Sequence, residues 1–281
     1  MPDRTNITNL RLFTMEAIYS EEFFISANES NPEGELAVNV LVNSLIEIAT
    51  LHANLSGFGN PHMQDLNAGW VLSRLTLEMS CYPKVNTSYK VLTWVEDWNR
   101  HFSSRCFEIQ NQDGATIGYA RSIWMVINTR THENFGLEHL SCPPELISKH
   151  RCPIARQEKH AEILPAGSVI PEHSRALVAN KPVRIYTFQY NDIDFYRHVN
   201  TLRYITLLLN AFSLDEFDHN FISRLEISFL HEGSFGESIR IERHDFESSE
   251  DGRVSAFSFI PENTEKSHPI LFARLRLTPR D

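Results

Sequence analysis

The chain has 281 residues, 42% hydrophobic and 22% charged, enough for one large or two ordinary globular domains with a sizeable core. Its net charge of −10 disfavours nucleic acid as a general partner, because phosphate binding needs a basic face. No apolar run approaches the roughly 20 residues of a membrane span, no basic-then-apolar leader opens the chain, and four scattered cysteines make no CxxC pair, so the expected compartment is a reducing cytoplasm.

In chain order, Leu36–Leu55 predicts a mostly buried helix. Its polar residues Asn39, Asn43, Glu47, Thr50 and Asn54 recur every three or four positions and leave one narrow polar stripe. Gly57 supplies the stop. Strands are predicted at Trp70–Met79, Tyr89–Trp98, His101–Ile109 and Thr116–Asn128, the last two joined by a hairpin turn at Asp113-Gly114. The stretch 141–181 contains five prolines and little periodicity, and reads as a linker. Its basic residues Lys149, His150, Arg151, Arg156, Lys159 and His160 read as a solvated run. A second helix is predicted at Asn200–Phe212. Strands follow near Phe221–His231, Ser238–Phe246, Val254–Ile260 and Ile270–Thr278.

The second set repeats the first. "SRLTLEM" at Ser73 and "SRLEISF" at Ser223 share their first three residues, and in the register that sets Ser73 on Ser223, "SYKVLTW" faces "SIRIERH". "YARSIWM" and "FARLRLT" match at a slightly larger offset. A duplicated domain follows, each copy an α+β unit with a sheet around one buried helix.

Differences between the copies locate the chemistry. Glu232 stands opposite Tyr82 in the same register, and only the second copy enters its helix through a loop with a histidine, "YNDIDFYRHVN". If that loop is extended, Asp194, Tyr196 and His198 project to one side, and Asp194 orients the imidazole. The helix beginning at Asn200 offers unpaired N–H groups for an oxyanion. Glu232, before the turn "GSFGES", faces the same pocket. A histidine, two carboxylates and a helix N-terminus suffice to activate water against a carbonyl; the alternative is a capped helix behind a surface loop. GxSxG, HExxH and P-loop patterns are absent, so neither metal nor nucleotide cofactors are expected.

Taken together, "WVLSRLTLEMSCYP", "SIWMVINTRT", Asp192–Asn200 as "DIDxxxHVN" and "FLHEGSFGES" resemble the acyl–acyl-carrier-protein thioesterases of plant plastids and bacteria, closest to the bacterial branch. The resemblance implies two tandem hot-dog domains: residues 1–140 shaping the acyl pocket, a linker at 141–181, and a catalytic domain at 182–281. It implies hydrolysis of fatty acyl–carrier-protein thioesters in fatty acid biosynthesis, without a cofactor. Acyl-coenzyme A hydrolysis and non-catalytic acyl binding are the alternatives. Asp194, His198 and Glu232 match the family's active-site residues; Glu232 is then the general base, with Asn200 near the oxyanion. Tyr196 departs from the usual asparagine, and Gly233 stands where plant members carry a cysteine. The implied partner is acidic acyl carrier protein, docking on Arg151, Arg156, Lys159, Lys181 and Arg184. No membrane partner is expected, and the chain is a monomer or homodimer.

Overall fold

A computed structural model describes residues 16–140, 142–157, 163–164, 177–178, 182–246, 252–262 and 268–280. Strand β1 (Ile18–Phe24) leads to helix α1 (Val38–Leu55) and the short α2 (Asn60–Gln64). Four strands complete the first half: β2 (Ala68–Met79), β3 (Ser88–Trp98), β4 (Ser103–Asn111) and β5 (Thr116–Asn128). A short parallel pair, β6 (Ile163–Leu164) and β7 (Leu177–Val178), lies between the halves. The second half comprises β8 (Pro182–Thr187), α3 (Thr201–Leu209), α4 (Leu214–His219), β9 (Asn220–Phe229), β10 (Ser238–Asp245), β11 (Arg253–Pro261) and β12 (Leu271–Pro279).

Ten strands form one antiparallel sheet in the order β1-β3-β4-β5-β2-β9-β12-β11-β10-β8. Read from either edge, this order visits equivalent strands of the two copies. The join at the centre, β2 against β9, pairs Thr76 with Glu226, its own counterpart in the repeat; Leu75 pairs with Ile227 and Leu77 with Leu225. A pseudo-two-fold axis therefore passes between Thr76 and Glu226. One chain supplies both sides of an isologous contact.

The register that sets Ser73 on Ser223 holds for β2–β4 against β9–β11 but not upstream. The bridge Ser30–Leu36 before α1 has its equivalent in Ile193–Val199 before α3, at a larger offset. The first half spends the difference on its longer helix and the α2 turn. α1 has 18 residues and ends at Gly57, φ 82, where Phe58 N–H returns to Ala53 O. α3, Thr201–Leu209, is shorter than the predicted Asn200–Phe212. Ser213 starts α4 there with a capping box to Glu216.

The predicted strands all occur within a few residues of their expected ends. Besides the short pair β6 and β7 in the expected linker, two strands of the large sheet, β1 and β8, escape the periodicity, and both are its edges. β1 presents Ile18 and Phe24 to solvent and carries Glu21 and Glu22, so it lacks the apolar signal of a buried strand. β8 opens with Pro182, which an edge tolerates. The core packs Leu41, Leu45 and Ile48 of α1 with Ile205 and Leu208 of α3 and with Leu75, Leu77, Leu225 and Ile227 of the central strands. α1 is long and apolar enough for a membrane span by length and composition, but half of it is buried inside the protein, as in a core helix.

The expected linker is partly clamped. Arg121, buried in the sheet, is paired with Glu96 and donates to the carbonyl of Ile154 (2.8 Å); Glu96 also accepts from the Cys152 N–H (2.9 Å). Gln157 reaches the pseudo-axis, where it accepts from Thr76 Oγ1 (3.1 Å) and donates to Ser228 Oγ (2.9 Å). Residues 142–157 thus form a strap across the sheet. Burial alone would raise the Glu96 pKa, but the Arg121 hydrogen bonds, the Cys152 N–H and the nearby positive charge hold it below the usual carboxylate range. Its contribution is therefore present above the pKa of an unfolded-chain glutamate and is lost as pH falls through the lowered folded value. Glu96→Gln leaves Arg121 as an unpaired buried charge and should cost about 3–5 kcal/mol at neutral pH. The deficit, read by denaturant unfolding, should shrink on acidification; a deficit that is constant with pH would contradict the pairing.

Candidate active site

The loop before α3 is a tight turn, and its geometry corrects the extended reading. Asp194 N–H donates to His198 O (2.8 Å), Ile193 bridges Val199, and Arg197 sits at φ 72. Asp194 Oδ1 accepts from the backbone N–H of Tyr196 (2.9 Å) and of His198 (3.2 Å). The aspartate therefore holds the backbone that presents the histidine, not the imidazole itself. Asp192, almost fully buried, anchors this turn from behind. It accepts from Tyr186 Oη (2.8 Å) and Gln189 N–H (2.7 Å) and pairs with Arg203 of α3.

Asn200 is the N-cap of α3, its side chain accepting from Leu202 N–H (2.8 Å). Arg203 N–H is taken by Asn200 O, which leaves the Thr201 N–H without a partner among the described residues. A free donor at a helix N-terminus, on a residue that lines a cleft, suits a developing negative charge.

Glu232 follows the end of β9. Val199 N–H donates to Gly233 O (3.0 Å), which ties the histidine loop to the glutamate loop one residue beyond each functional side chain. His198 Nδ1 then lies 3.2 Å from Glu232 Oε2, close enough for an ion pair but without hydrogen-bond alignment.

The hydrogen-bond partner of Glu232 comes from the other half. His132 Nδ1 is also 3.2 Å from Glu232 Oε2, and the His132 and His198 rings meet edge-to-face at 5.0 Å. Asn128, ending β5, folds the chain back by accepting from Arg130 and Thr131 N–H, and His132 is held at φ 59. Sequence reasoning assigns the chemistry to the second copy alone and so misses His132. It lies 100 residues from Glu232 and just past the "SIWMVINTRT" segment, in a loop with no motif of its own.

These groups open on a cleft of ≈ 350 Å³ between the halves, walled by Trp70 and Leu72 of β2, Trp124 of β5 and Phe229 of β9. From α1 it receives Asn43, Ile46 and Thr50. Part of the polar stripe of α1 thus lines a cavity. A smaller apolar hollow with Ala53, Phe58 and Trp98 shares Thr50, Trp70 and Trp124 with the cleft. Tyr196 is half-buried at the rim, with its ring against Phe195 and near Gly69. Burial and the Asp194 charge raise the phenol pKa, so it stays protonated, and its hydroxyl has no partner among the described residues.

Tyr82 lies elsewhere. Buried, it donates to Ile222 O (2.9 Å) and bridges the halves beside a second cavity of ≈ 570 Å³. At the position equivalent to His198 stands Glu35, buried and paired with Lys84 (2.9 Å) and Arg280 (2.8 Å). The pseudo-symmetric counterpart of the site thus has a phenol and a neutralised carboxylate where the cleft has Glu232 and His198.

Of the basic residues expected to form a docking face, Arg156 is already paired with Asp97 (2.7 Å) and Arg184 lines the second cavity. Arg151 is exposed; Lys159 and Lys181 lie outside the described residues.

Comparison with known proteins gives one family. The acyl-ACP thioesterase N-terminal domain model matches residues 16–137, and the C-terminal domain model matches residues 176–269. An acyl-ACP thioesterase structure from Bacteroides thetaiotaomicron is 29% identical, with a TM-score of 0.79 over 93% of this chain and 98% of that one. The 12:0-ACP thioesterase of Umbellularia californica shares the fold at 20% identity, with a TM-score of 0.73 over 95% and 96% of the two chains. The chloroplastic palmitoyl-acyl carrier protein thioesterase of Gossypium hirsutum is 25% identical over 228 residues, 76% of this chain and 52% of that protein. The chain spans about half the length of the curated relatives it matches.

The plant-type cysteine does not fit at Gly233. A Cβ there would lie 2.6 Å from Tyr204 Oη and 3.0 Å from both Phe188 and Val199, while Tyr204 Oη accepts the Gly233 N–H at 3.0 Å. Gly233→Ala should lower stability by about 1–3 kcal/mol through overpacking. Adding Tyr204→Phe removes the closest clash, so the double variant should lose less than the two single losses summed, as read by thermal unfolding. Additive losses would show that the hydroxyl does not set the glycine requirement.

Proposed function

Because the chain belongs to the acyl-ACP thioesterase family, with both halves matched, we propose that it hydrolyses the thioester joining a fatty acyl chain to acyl carrier protein, releasing the free fatty acid and the carrier thiol. The observation that carries this reading is Glu232, held by His132 and facing His198 in an apolar-walled cleft at the start of α3.

In the proposed reaction Glu232 takes a proton from water as the oxygen attacks the thioester carbonyl. The carbonyl oxygen becomes an oxyanion, stabilised by the Thr201 N–H and the positive end of α3. His198 lines the path of the attacking water. The intermediate collapses with cleavage of the C–S bond, and the departing thiolate receives the proton held by Glu232. Water adds across the bond, and no covalent enzyme intermediate is formed, which suits a site whose Gly233 has no room for a thiol. The first half walls the acyl cleft through Asn43, Ile46 and Thr50 and supplies His132; the second half carries the base. His132 is a positioning residue, fixing which carboxylate oxygen faces His198.

Hydrolysis of acyl-carrier-protein and acyl-coenzyme A thioesters over several chain lengths tests the reading. Wild-type protein should turn over the carrier-bound substrate. Glu232→Gln and His198→Ala should each lower kcat by roughly 10²-fold or more, the scale of lost acid–base catalysis, with their melting temperatures retained. Wild-type-like turnover in either variant would remove that residue from the mechanism. Hydrolysis of coenzyme A esters alone would replace the carrier with a small thioester, and binding without turnover of any ester would make the cleft an acyl-binding site.

A further inference from the structure

We propose that His132, His198 and Glu232 together bind one borderline transition-metal ion, zinc foremost, and that the bound ion shuts down hydrolysis. The second clause rests on the function proposed above; the first does not.

The donor atoms come from three loops in both halves of the chain. Two ring nitrogens and one carboxylate oxygen lie within 4.8 Å of one another. Each histidine Nδ1 is 3.2 Å from the same Glu232 Oε2. Around a tetrahedral zinc ion with bonds of about 2.0–2.2 Å, neighbouring donors stand roughly 3.3–3.6 Å apart. Two of the three edges of the donor triangle are thus already close to the required length. The third closes by rotation of His132, whose side chain is 49% exposed at the rim of the cleft.

A second observation comes from His198. Its Nδ1 is buried yet makes no hydrogen bond among the described residues. Buried polar atoms are nearly always satisfied, and a coordinated ion satisfies a ring nitrogen as a hydrogen bond does. Two imidazoles and one carboxylate are a donor set for zinc and its neighbours, with a fourth position open to the cleft. Magnesium and calcium prefer oxygen ligands and should bind poorly. A metal ion occupying the Glu232 oxygen and the His198 nitrogen removes the proton acceptor from the reaction.

The test is titration of chelator-stripped protein with zinc chloride, followed by calorimetry. One equivalent should bind. His132→Ala and Glu232→Gln should each weaken it at least 10-fold, at or beyond the roughly 10–100-fold that loss of a mere outer-shell partner costs. His219→Ala, at an exposed histidine that ends α4, should change nothing. His132→Gln serves as the second variant should alanine impair folding. Cobalt should give the visible absorption of a low-coordinate site in the wild type and lose it in the His132→Ala and Glu232→Gln variants. Zinc binding unaltered by His132→Ala would be adventitious binding by others of the 13 histidines and would overturn the site. Magnesium binding equally well would overturn the donor assignment. Because binding is read without substrate, it stands or falls separately from catalysis. In the hydrolysis assay zinc should inhibit and a chelator should restore the rate; zinc-stimulated turnover would overturn the inhibitory half of the proposal.

Discussion

The pairing of β2 with β9 is the constraint from which the rest of the architecture follows. An antiparallel ladder between two copies of one strand has a two-fold axis at its centre, and Thr76 facing Glu226 puts that axis between equivalent residues. Each copy then adds its remaining strands outward in the same order, and the two unpaired rows of backbone groups fall on β1 and β8. The ladder also fixes where the helices lie. α1 and α3 share one core over the central strands, so the N-terminal loop of α3 meets the α1 side of the sheet. The cleft is made at that meeting. Gln157 hydrogen-bonds on both sides of the axis, so the strap between the halves reinforces the same join.

A two-fold arrangement offers two equivalent clefts, and side-chain chemistry distinguishes them. At one, His198 and Glu232 face an apolar channel. At the other, Glu35 is locked between Lys84 and Arg280, and Tyr82 spends its hydroxyl on Ile222 O. The second location has become structure. Tyr82 and the Glu35 cluster bond across the halves, so the copy without the acid–base groups has contacts that hold the pseudo-dimer together. The cleft that holds Glu232 in turn is not the property of one copy, because His132 crosses from the first half to hydrogen-bond the carboxylate of the second.

Much of this is readable in the residues. The helix Leu36–Leu55 and the interior strands follow from periodicity, because each buries an apolar face whose spacing is fixed by the helical or the strand repeat. The register of Ser73 on Ser223 identifies the central strands, and the same register brings out Glu232 by contrast with Tyr82. The edge strands escape because their inner face is weakly marked: β1 alternates exposed with only half-buried residues, Glu21 among the latter, and β8 is exposed at Val183, Arg184 and Ile185. The extended reading of the 194–198 loop fails because the left-handed Arg197 and the Asp194 cap turn the chain back on itself, which no spacing rule reveals. His132 escapes because its partner is set by the closure of the sheet, not by any local pattern. The stripe of α1 is legible as polar, but which of its residues meet a cavity depends on how α1 lies on the sheet.

The most direct measurement of a single cleft built by both halves is a crystal structure with a non-hydrolysable acyl-pantetheine thioether. Its chain should run past Thr50 and Trp124, with the carbon that replaces the carbonyl within reach of the Thr201 N–H and the Glu232 carboxylate. A chain lying instead in the cavity beside Tyr82 and Arg280 would contradict the assignment of the two pseudo-symmetric locations.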